Sequence, residues 1–493
     1  MSSLAARPLL VGKLLAAPGE KPAAGPVEIA FKKGFIESIS PVAAISDELT
    51  DEQRGLLAMP ALANAHDHGR GLSTFAFGAG DRPLELWLPA LKLQPALPVY
   101  ALTALALAGM ARSGVGAVVH CHNPSGGDAL EEAQAVCQAA RDVGVRLALA
   151  LPLCDRNALA YGNSEHLLSL MAPGDREQVR ATWDPPTLSP AAQVERVEAI
   201  ASVCEGDLIH VQYCPRGPQW CSNTLLEQIA AASAETGRRI HTHVFETRYQ
   251  REWADAHYPQ GLFRYLDDIG FLSPRLTIAH GIWLRADELE LLAERGVTVS
   301  VNTSSNLRLR SGLASYRAML DAGIPVAFGL DGMSLNDRDD AFEELRLNYH
   351  LYASPSLNGN RLSLAEVFAA HRHGVVAVCD RRDGGVLEPG QPADFTLLDY
   401  GAMTRDVVEG ACSPAEIILA RGSRNYLKAL WVAGKPVVDR GQVLGIDESS
   451  LQEEIGDKLR SQSRHVYSLQ ALVGRYQQVL EQFYSAGLHT TLE

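Results

Sequence analysis

The segment Ala65-His66-Asp67-His68-Gly69 ends an apolar run with two imidazoles one residue apart. Residues i and i+2 of a strand share a face, so both rings can reach one metal ion. Alone the pair is weak evidence, since two histidines on a surface strand read the same way. Three further segments repeat the pattern: Ile240-His241-Thr242-His243-Val244-Phe245-Glu246, Thr277-Ile278-Ala279-His280-Gly281 and Ala327-Phe328-Gly329-Leu330-Asp331-Gly332. Each is an apolar run finishing in a metal-capable side chain. A divalent ion held by imidazole and carboxylate lowers the pKa of bound water towards ~7. Glu246 lies three residues past His243 and is spaced to take a proton from such a water. A helix cap or a surface carboxylate is the plainer alternative for Glu246. His66, His68, His243, His280 and Asp331 are the candidates for a metal-centred site.

These residues need a scaffold that turns strand ends towards one another. Eight short apolar runs, near 57–64, 115–122, 146–153, 207–213, 239–245, 276–281, 297–302 and 325–331, alternate with helical patterns such as 287–296. Eight βα units over roughly 330 residues predict an α/β fold, a (β/α)8 TIM barrel with insertions, whose strand C-termini open on one mouth. The stretches before residue 55 and from 390 to 445 read as short strands broken by Gly and Pro, with Gly434-Lys435 as a hairpin turn. Strands from both chain ends predict one small β-sandwich domain. The expected division is 1–58 with 386–446 for the sandwich, 59–385 for the barrel, and 447–493 for a C-terminal helical extension serving packing or oligomerisation.

Composition sets the remaining bounds. With 493 residues, 46% hydrophobic and 21% charged, the chain is globular. Lys+Arg is 44 against Asp+Glu 58, a formal charge of −14, which argues against nucleic acid or an anionic membrane as partner. The longest apolar stretch, Ala101 to Ala111, contains Thr103 and Gly109 and falls short of the ~18 residues of a membrane span. Met1 to Leu10 shows no secretory leader. Eight cysteines without a C-x-x-C pair read as reduced buried thiols, hence a cytoplasmic protein.

Over nearly its whole length the sequence resembles the amidohydrolase superfamily. Within it, the chain is similar to the mononuclear deaminase and aminohydrolase branch, which includes cytosine, guanine and S-adenosylhomocysteine deaminases and triazine hydrolases. Leu387-Glu388-Pro389-Gly390-Gln391-Pro392-Ala393-Asp394 matches the family's return to its β-domain, and Val432 to Val438 its terminal hairpin. The resemblance implies a metal held by His66, His68, His243 and Asp331, with His280 beside the attacking water. It puts Glu246 in the place of the proton-shuttling glutamate, and Asp331 then takes a second proton as the amine leaves. Binuclear members commonly bridge two metals with a carboxylated lysine, but no lysine lies between Lys92 and Lys428. One divalent ion per subunit is therefore expected, zinc first and iron(II) second.

The implied function is deamination of a nitrogen heterocycle or cyclic amidine-like small molecule, releasing ammonia. The alternative within the same class is hydrolysis of another C–N bond, by cyclic amide opening or N-dealkylation, or dechlorination of a triazine-like ring. A catalytically silent relative or a small-molecule sensor would be a different class. The complete ligand set argues against the first, and the lack of a DNA-binding element against the second. The family resemblance also implies a homodimer or higher homo-oligomer.

Substrate contacts are expected around the fourth strand, where relatives often carry a histidine and this chain has Gln212 or Gln219. Trp220 can stack on a planar ring and Arg216 can meet a carboxylate, with core packing and a surface ion pair as the alternatives. His122 reads as a pocket residue, while His120 and His241 read as structural. Asn302 can shape the pocket, or Asn302 and Asn306 can cap turns. Arg70, Phe75 and Trp87 are expected to line the mouth. Cys121, Cys214 and Cys221 lie near the site as buried thiols.

Overall fold

A computed structural model of the chain describes residues 8–43, 49–156, 159–184, 186–357, 362–381 and 384–491. Eight parallel strands form the central sheet: β1 (Leu62–Asp67), β2 (Val115–Cys121), β3 (Arg146–Leu153), β4 (Ile209–Pro215), β5 (Ile240–Val244), β6 (Leu276–His280), β7 (Thr298–Val301) and β8 (Val326–Phe328). They pair in sequence order from β1 to β8 and curl into a barrel. Helices between them are bounded as their sequences dictate. The helix Ala129–Val143, for example, starts at Asp128, whose carboxylate accepts from Leu130 N and Glu131 N, and stops at Gly144 with φ 92°.

The apolar run predicted as the first barrel strand proves to be two strands. Leu56–Pro60 pairs antiparallel with Phe395–Asp399 in a separate sheet, and β1 begins only at Leu62. The switch has a backbone cause. Pro60 has no N–H to give a ladder, Ala61 N donates to Asp394 O at 3.1 Å, and Leu62 N donates to Gly114 O at 2.7 Å. The chain thus changes partner between Ala61 and Leu62.

The seam between β1 and β8 is closed by side chains as well as backbone. Leu330 N donates to Asn64 Oδ1 at 3.0 Å, Asp331 N to His66 O at 2.9 Å, and Gly332 N to Asp67 Oδ2 at 3.0 Å. β8 was expected to run to residue 331. It stops at Phe328 because the chain turns there, and Asp331 adopts φ 58°.

Inside the barrel the inward positions are small: Ala63, Ala65, Ala117, Ala148, Ala150 and Ala327 are all buried. The helix Leu364–Cys379 packs across β1, β8, β2 and β3, and its end joins this cluster through Ala377, Val378 and Cys379. Gly374 allows the close approach, because a Cβ there would lie 3.0 Å from Ala63 Cβ and 3.3 Å from Ala63 O.

The two chain ends meet as expected in a second core. A six-stranded sheet runs Gln442–Val443, Lys435–Asp439, Leu427–Val432, Phe395–Asp399, Leu56–Pro60, Lys13–Leu14, and a three-stranded sheet holds Leu9–Val11, Val27–Lys32 and Phe35–Pro41. Phe31, Phe395 and Trp431 pack with ring centroids 5.2 to 5.9 Å apart. The hairpin turn is Ala433-Gly434, one residue earlier than expected, and both residues have positive φ, as a two-residue turn of this kind requires. Arg146 on β3 forks onto Asp394 at 2.7 and 3.1 Å, tying the barrel to the sheet.

The C-terminal helices Glu448–Ser461 and Ser463–Ser485 lie against the chain's own long loop after β1. Gln477 Nε2 donates to Leu86 O and Gln462 Nε2 to Ala96 O, both at 2.7 Å. The extension thus packs on the chain's own loop. No helix of the described residues is long and apolar enough to cross a membrane. All eight cysteines are free, but Cys412 is exposed and Cys154 only half-buried, contrary to the expectation of buried thiols throughout.

Substituting Gly374→Val should cost about 1–3 kcal/mol of stability by overpacking the helix against β1. Ala63→Gly in the same chain should recover part of that loss. The check is chemical denaturation of the two single variants and the pair. Unchanged stability in Gly374→Val would contradict this packing.

Candidate active site

Strand ends bring the predicted residues together. β5 buries Ile240 and Val244 on one face and turns His241 and His243 to the other, towards the barrel axis. Phe245, His280 and Asp331, each just at or past a strand end, have φ of 52°, 73° and 58°. Left-handed backbone at non-glycine residues is costly, and its clustering here marks chain bends that aim side chains inward.

His66 Nε2 and His68 Nε2 lie 3.2 and 3.3 Å from Asp331 Oδ1, and His243 Nε2 lies 3.4 Å from His68 Nε2. Each opposite ring nitrogen is engaged. His68 Nδ1 meets Cys121 O at 3.0 Å, His243 Nδ1 meets Arg216 O at 2.8 Å, and His66 Nδ1 meets His241 Nε2 at 2.8 Å. A carbonyl only accepts, so Nδ1 of His68 and His243 carries the proton and Nε2 keeps its lone pair. Burial holds both imidazoles well below their usual pKa, so they are neutral. His66 Nε2 is buried and, among the described residues, has no well-aligned partner beyond its approach to Asp331 Oδ1. Burial would push the Asp331 carboxyl up, but the neighbouring His66, His68 and His280 outweigh it and hold it well below the usual range. Three imidazole nitrogens and one carboxylate converging in this way suit a divalent cation.

Cys121 Sγ also lies near His66 and His243. It makes a poor ligand, because burial pushes its thiol well up and His241 already takes the His66 Nδ1 position.

Glu246 and His280 flank this cluster. His280 Nε2 lies 3.6 Å from Glu246 Oε2 and 4.0 Å from Asp331 Oδ2. His280 Nδ1 donates to Asn306 Oδ1 at 2.9 Å, which fixes its tautomer. Burial raises the Glu246 carboxyl to about 7, with Asp331 and Glu85 adding to the rise and His280 opposing it. A carboxyl poised there can accept and return a proton near neutrality.

The expected substrate contacts fare less well. Gln212 is buried deep in the barrel, and its Nε2 donates to Ala377 O at 2.7 Å, so it binds the plugging helix and does not reach the site. His122 Nε2 is engaged at 2.8 Å by Glu132, which also holds the loop at Ser125 and Gly127. Arg216 serves His243 through its carbonyl. Trp220 packs edge-on against Tyr161 at 5.4 Å. Asn302 is fully buried beneath His280, its Nδ2 3.4 Å from the ring, and its side chain caps no helix. Asn306 likewise supports His280 and caps no turn. His120 and His241 are interior, as expected. Of the mouth residues, Phe75 is exposed, while Trp87 is buried beneath the Arg70 guanidinium.

Sequence reasoning passed over Asn64, Asp67 and Ser305. Asn64 precedes His66 by two residues, before a break in strand register, and its side chain closes the seam. Ser305 Oγ donates to Asp331 Oδ2 at 2.6 Å, and nothing in its surroundings in the sequence marks it.

In the metal-free protein the raised Glu246 carboxyl has a consequence for stability. The folded state keeps a proton between pH 4.5 and about 7 that the unfolded chain gives up, so stability falls as pH rises through that window. Glu246→Gln should therefore stabilise the apoprotein by up to about 3 kcal/mol at pH 8 and hardly at all at pH 4. Urea titrations at both pH values test this, and an equal difference at the two would contradict it.

Comparisons with known proteins show the family and the fold. The model of the amidohydrolase family matches residues 57–437. The 5'-deoxyadenosine deaminase of Methanopyrus kandleri is 28% identical over 403 residues, covering 80% of this chain and 84% of that protein. The 5-methylthioadenosine/S-adenosylhomocysteine deaminase of Bacillus cereus is 27% identical over 416 residues, covering 82% of this chain and 86% of that protein. An adenosine deaminase from Xanthomonas campestris, solved with bound zinc, superposes with a TM-score of 0.74 at 24% identity, covering 92% of this chain and 98% of that one. Atrazine chlorohydrolase from Arthrobacter aurescens, complexed with zinc, gives 0.75 at 22%, covering 91% and 98%. The structural likenesses show the shared barrel fold. The family match extends over most of the chain, and the protein belongs to the amidohydrolase family.

Proposed function

We propose that the protein is a metal-dependent aminohydrolase that replaces the exocyclic amine of a nitrogen heterocycle with oxygen, consuming water and releasing ammonia. The observation that carries this reading is the convergence of three imidazole Nε2 atoms with Asp331, faced by Glu246 and His280. Relatives named as deaminases of adenosine-type nucleosides support it. One divalent ion, zinc by preference, would be held by His66, His68, His243 and Asp331, and would supply Lewis acidity that makes water a nucleophile at neutral pH.

The protein's own residues do the rest. Glu246, its carboxyl near neutral pKa, accepts the proton of the attacking water and returns it to a ring nitrogen. His280 is held by Asn306 at Nδ1, so its Nε2 faces the space between Glu246 and Asp331, where it orients the water. Asp331, held ionised by its histidine neighbours, takes the second proton and passes it to the departing amine. The proton balance closes, since both water protons end on the substrate nitrogens.

The remaining parts of the proposal rest on the family resemblance. They are one ion per subunit, a homodimer, and a cytoplasmic setting consistent with eight free cysteines.

Ammonia release by zinc-loaded protein should be measured on aminopyrimidines, adenosine-type nucleosides, pterins, aminotriazines and guanidine heterocycles. Release from at least one class is expected, falling at least ~10²-fold in Glu246→Gln. Zinc-loaded protein that releases no ammonia from any class, or a fully active Glu246→Gln, would overturn the deaminase reading.

A further inference from the structure

Arg70 is a buried cation near Asp331, Asp67 and Glu246, yet among the described residues it pairs with none of them. It lies two residues past His68, and its guanidinium rests over the Trp87 ring at 5.0 Å. Its stem crosses Gly332, the residue after Asp331: a Cβ at Gly332 would lie 3.2 Å from Arg70 Cγ and 3.5 Å from Nε. Glycine at 332 therefore leaves the groove in which this side chain runs beside the candidate site. Nε is buried with no hydrogen-bond partner, and the guanidinium makes no ion pair or hydrogen bond among the described residues.

Two of the three nearby carboxylates are already occupied, and the third, Glu246, faces His280 at 3.6 Å. Asp67 accepts from Asn64 Nδ2 at 2.8 Å, Gly69 N at 2.7 Å and Gly332 N at 3.0 Å. Asp331 accepts from Ser305 and faces the histidines. Arg308 shows how the fold treats a structural arginine in the same mouth. It pairs with Asp81 and Asp337 and donates to Ser334 O at 2.7 Å. Leaving a partly buried guanidinium without an acceptor is costly, and a bound ligand with an acceptor group removes that cost.

We propose that Arg70 is a specificity residue that binds an anionic acceptor, a carboxylate, carried directly on the ring of the substrate heterocycle. The placement on the ring follows from distance. Arg70 runs alongside Asp331, so it meets atoms close to the reacting carbon and not the end of a long tail. Trp87 fixes the plane of the guanidinium fork, which suits two parallel bonds to a carboxylate. This rests on the aminohydrolase reading for the reaction, but the recognition is testable without turnover.

Two matched probe pairs serve: cytosine-5-carboxylate with 5-methylcytosine, and pterin-6-carboxylate with 6-methylpterin. Their binding is measured by calorimetry on zinc-loaded Glu246→Gln protein, and ammonia release on zinc-loaded protein with Glu246 intact. In at least one pair the acid should bind ~30-fold tighter than its neutral partner, as charge-assisted bonds typically give. Arg70→Gln should bring that ratio close to one, and Arg70→Lys should restore only part of it. Zinc content, measured in parallel, shows that each variant still forms the site. No preference for either acid, or a preference untouched by Arg70→Gln, overturns the proposal. A preference that depends on Arg70 without ammonia release from any probe supports anion recognition while counting against the deaminase reading.

Discussion

The closing of the barrel at the seam of β1 and β8 is the constraint on which the site depends. His66 lies in the first strand, His68 just past its end, and Asp331 follows the last strand, about 260 residues later in the chain. Only curvature through six intervening strands brings them together. The contact is then locked by three backbone N–H groups in a row, from Leu330, Asp331 and Gly332, each meeting an acceptor on β1. Asp331 thus reaches the histidines through the same hydrogen bonds that complete the sheet. Asn64 and Asp67 do the bridging, which makes the residues flanking the histidines as important to geometry as the histidines themselves.

Electrostatics follows from that closure. The barrel interior is buried and lined in part with alanine, so the imidazoles of His68 and His243 stay neutral and keep a lone pair available. Carbonyls of Cys121 and Arg216 hold the Nδ1 protons of His68 and His243, and the remaining nitrogens point at one another. Such an arrangement leaves buried polar groups unsatisfied, as His66 Nε2 is, unless a cation fills the centre. Glu246 is supported from behind by Gln250, whose Oε1 accepts its backbone N–H at 2.8 Å. Thr247 next to it donates to the buried Glu85 at 2.5 Å, so the loop after β1 and the loop after β5 are fastened together.

Much of this was legible in the sequence because it rests on local patterns. Apolar runs ending in His or Asp gave the barrel strands, and the spacing of His66, His68, His243 and Glu246 gave the chemistry. What was illegible depended on partners far away in the chain. The run 57–64 looks like one strand until Pro60 and the Asp394 carbonyl divide it between two sheets. Gln212 has the right position on β4 for a pocket residue, yet the helix Leu364–Cys379 claims its amide. Asn302 and Asn306 have turn-forming composition, but the turn signal carries no information about the His280 ring above them. Arg70 was recognised as a mouth residue, but its lack of an ion-pair or hydrogen-bond partner among the described residues is a property of three-dimensional surroundings alone.

The most direct test of the account is anomalous diffraction at the zinc absorption edge from crystals of zinc-loaded protein. A single peak is predicted within about 2.0–2.2 Å of Nε2 of His66, His68 and His243 and of an Asp331 carboxylate oxygen. A peak coordinated by Cys121, or no peak at the barrel mouth, would contradict the metal centre on which the proposed chemistry rests.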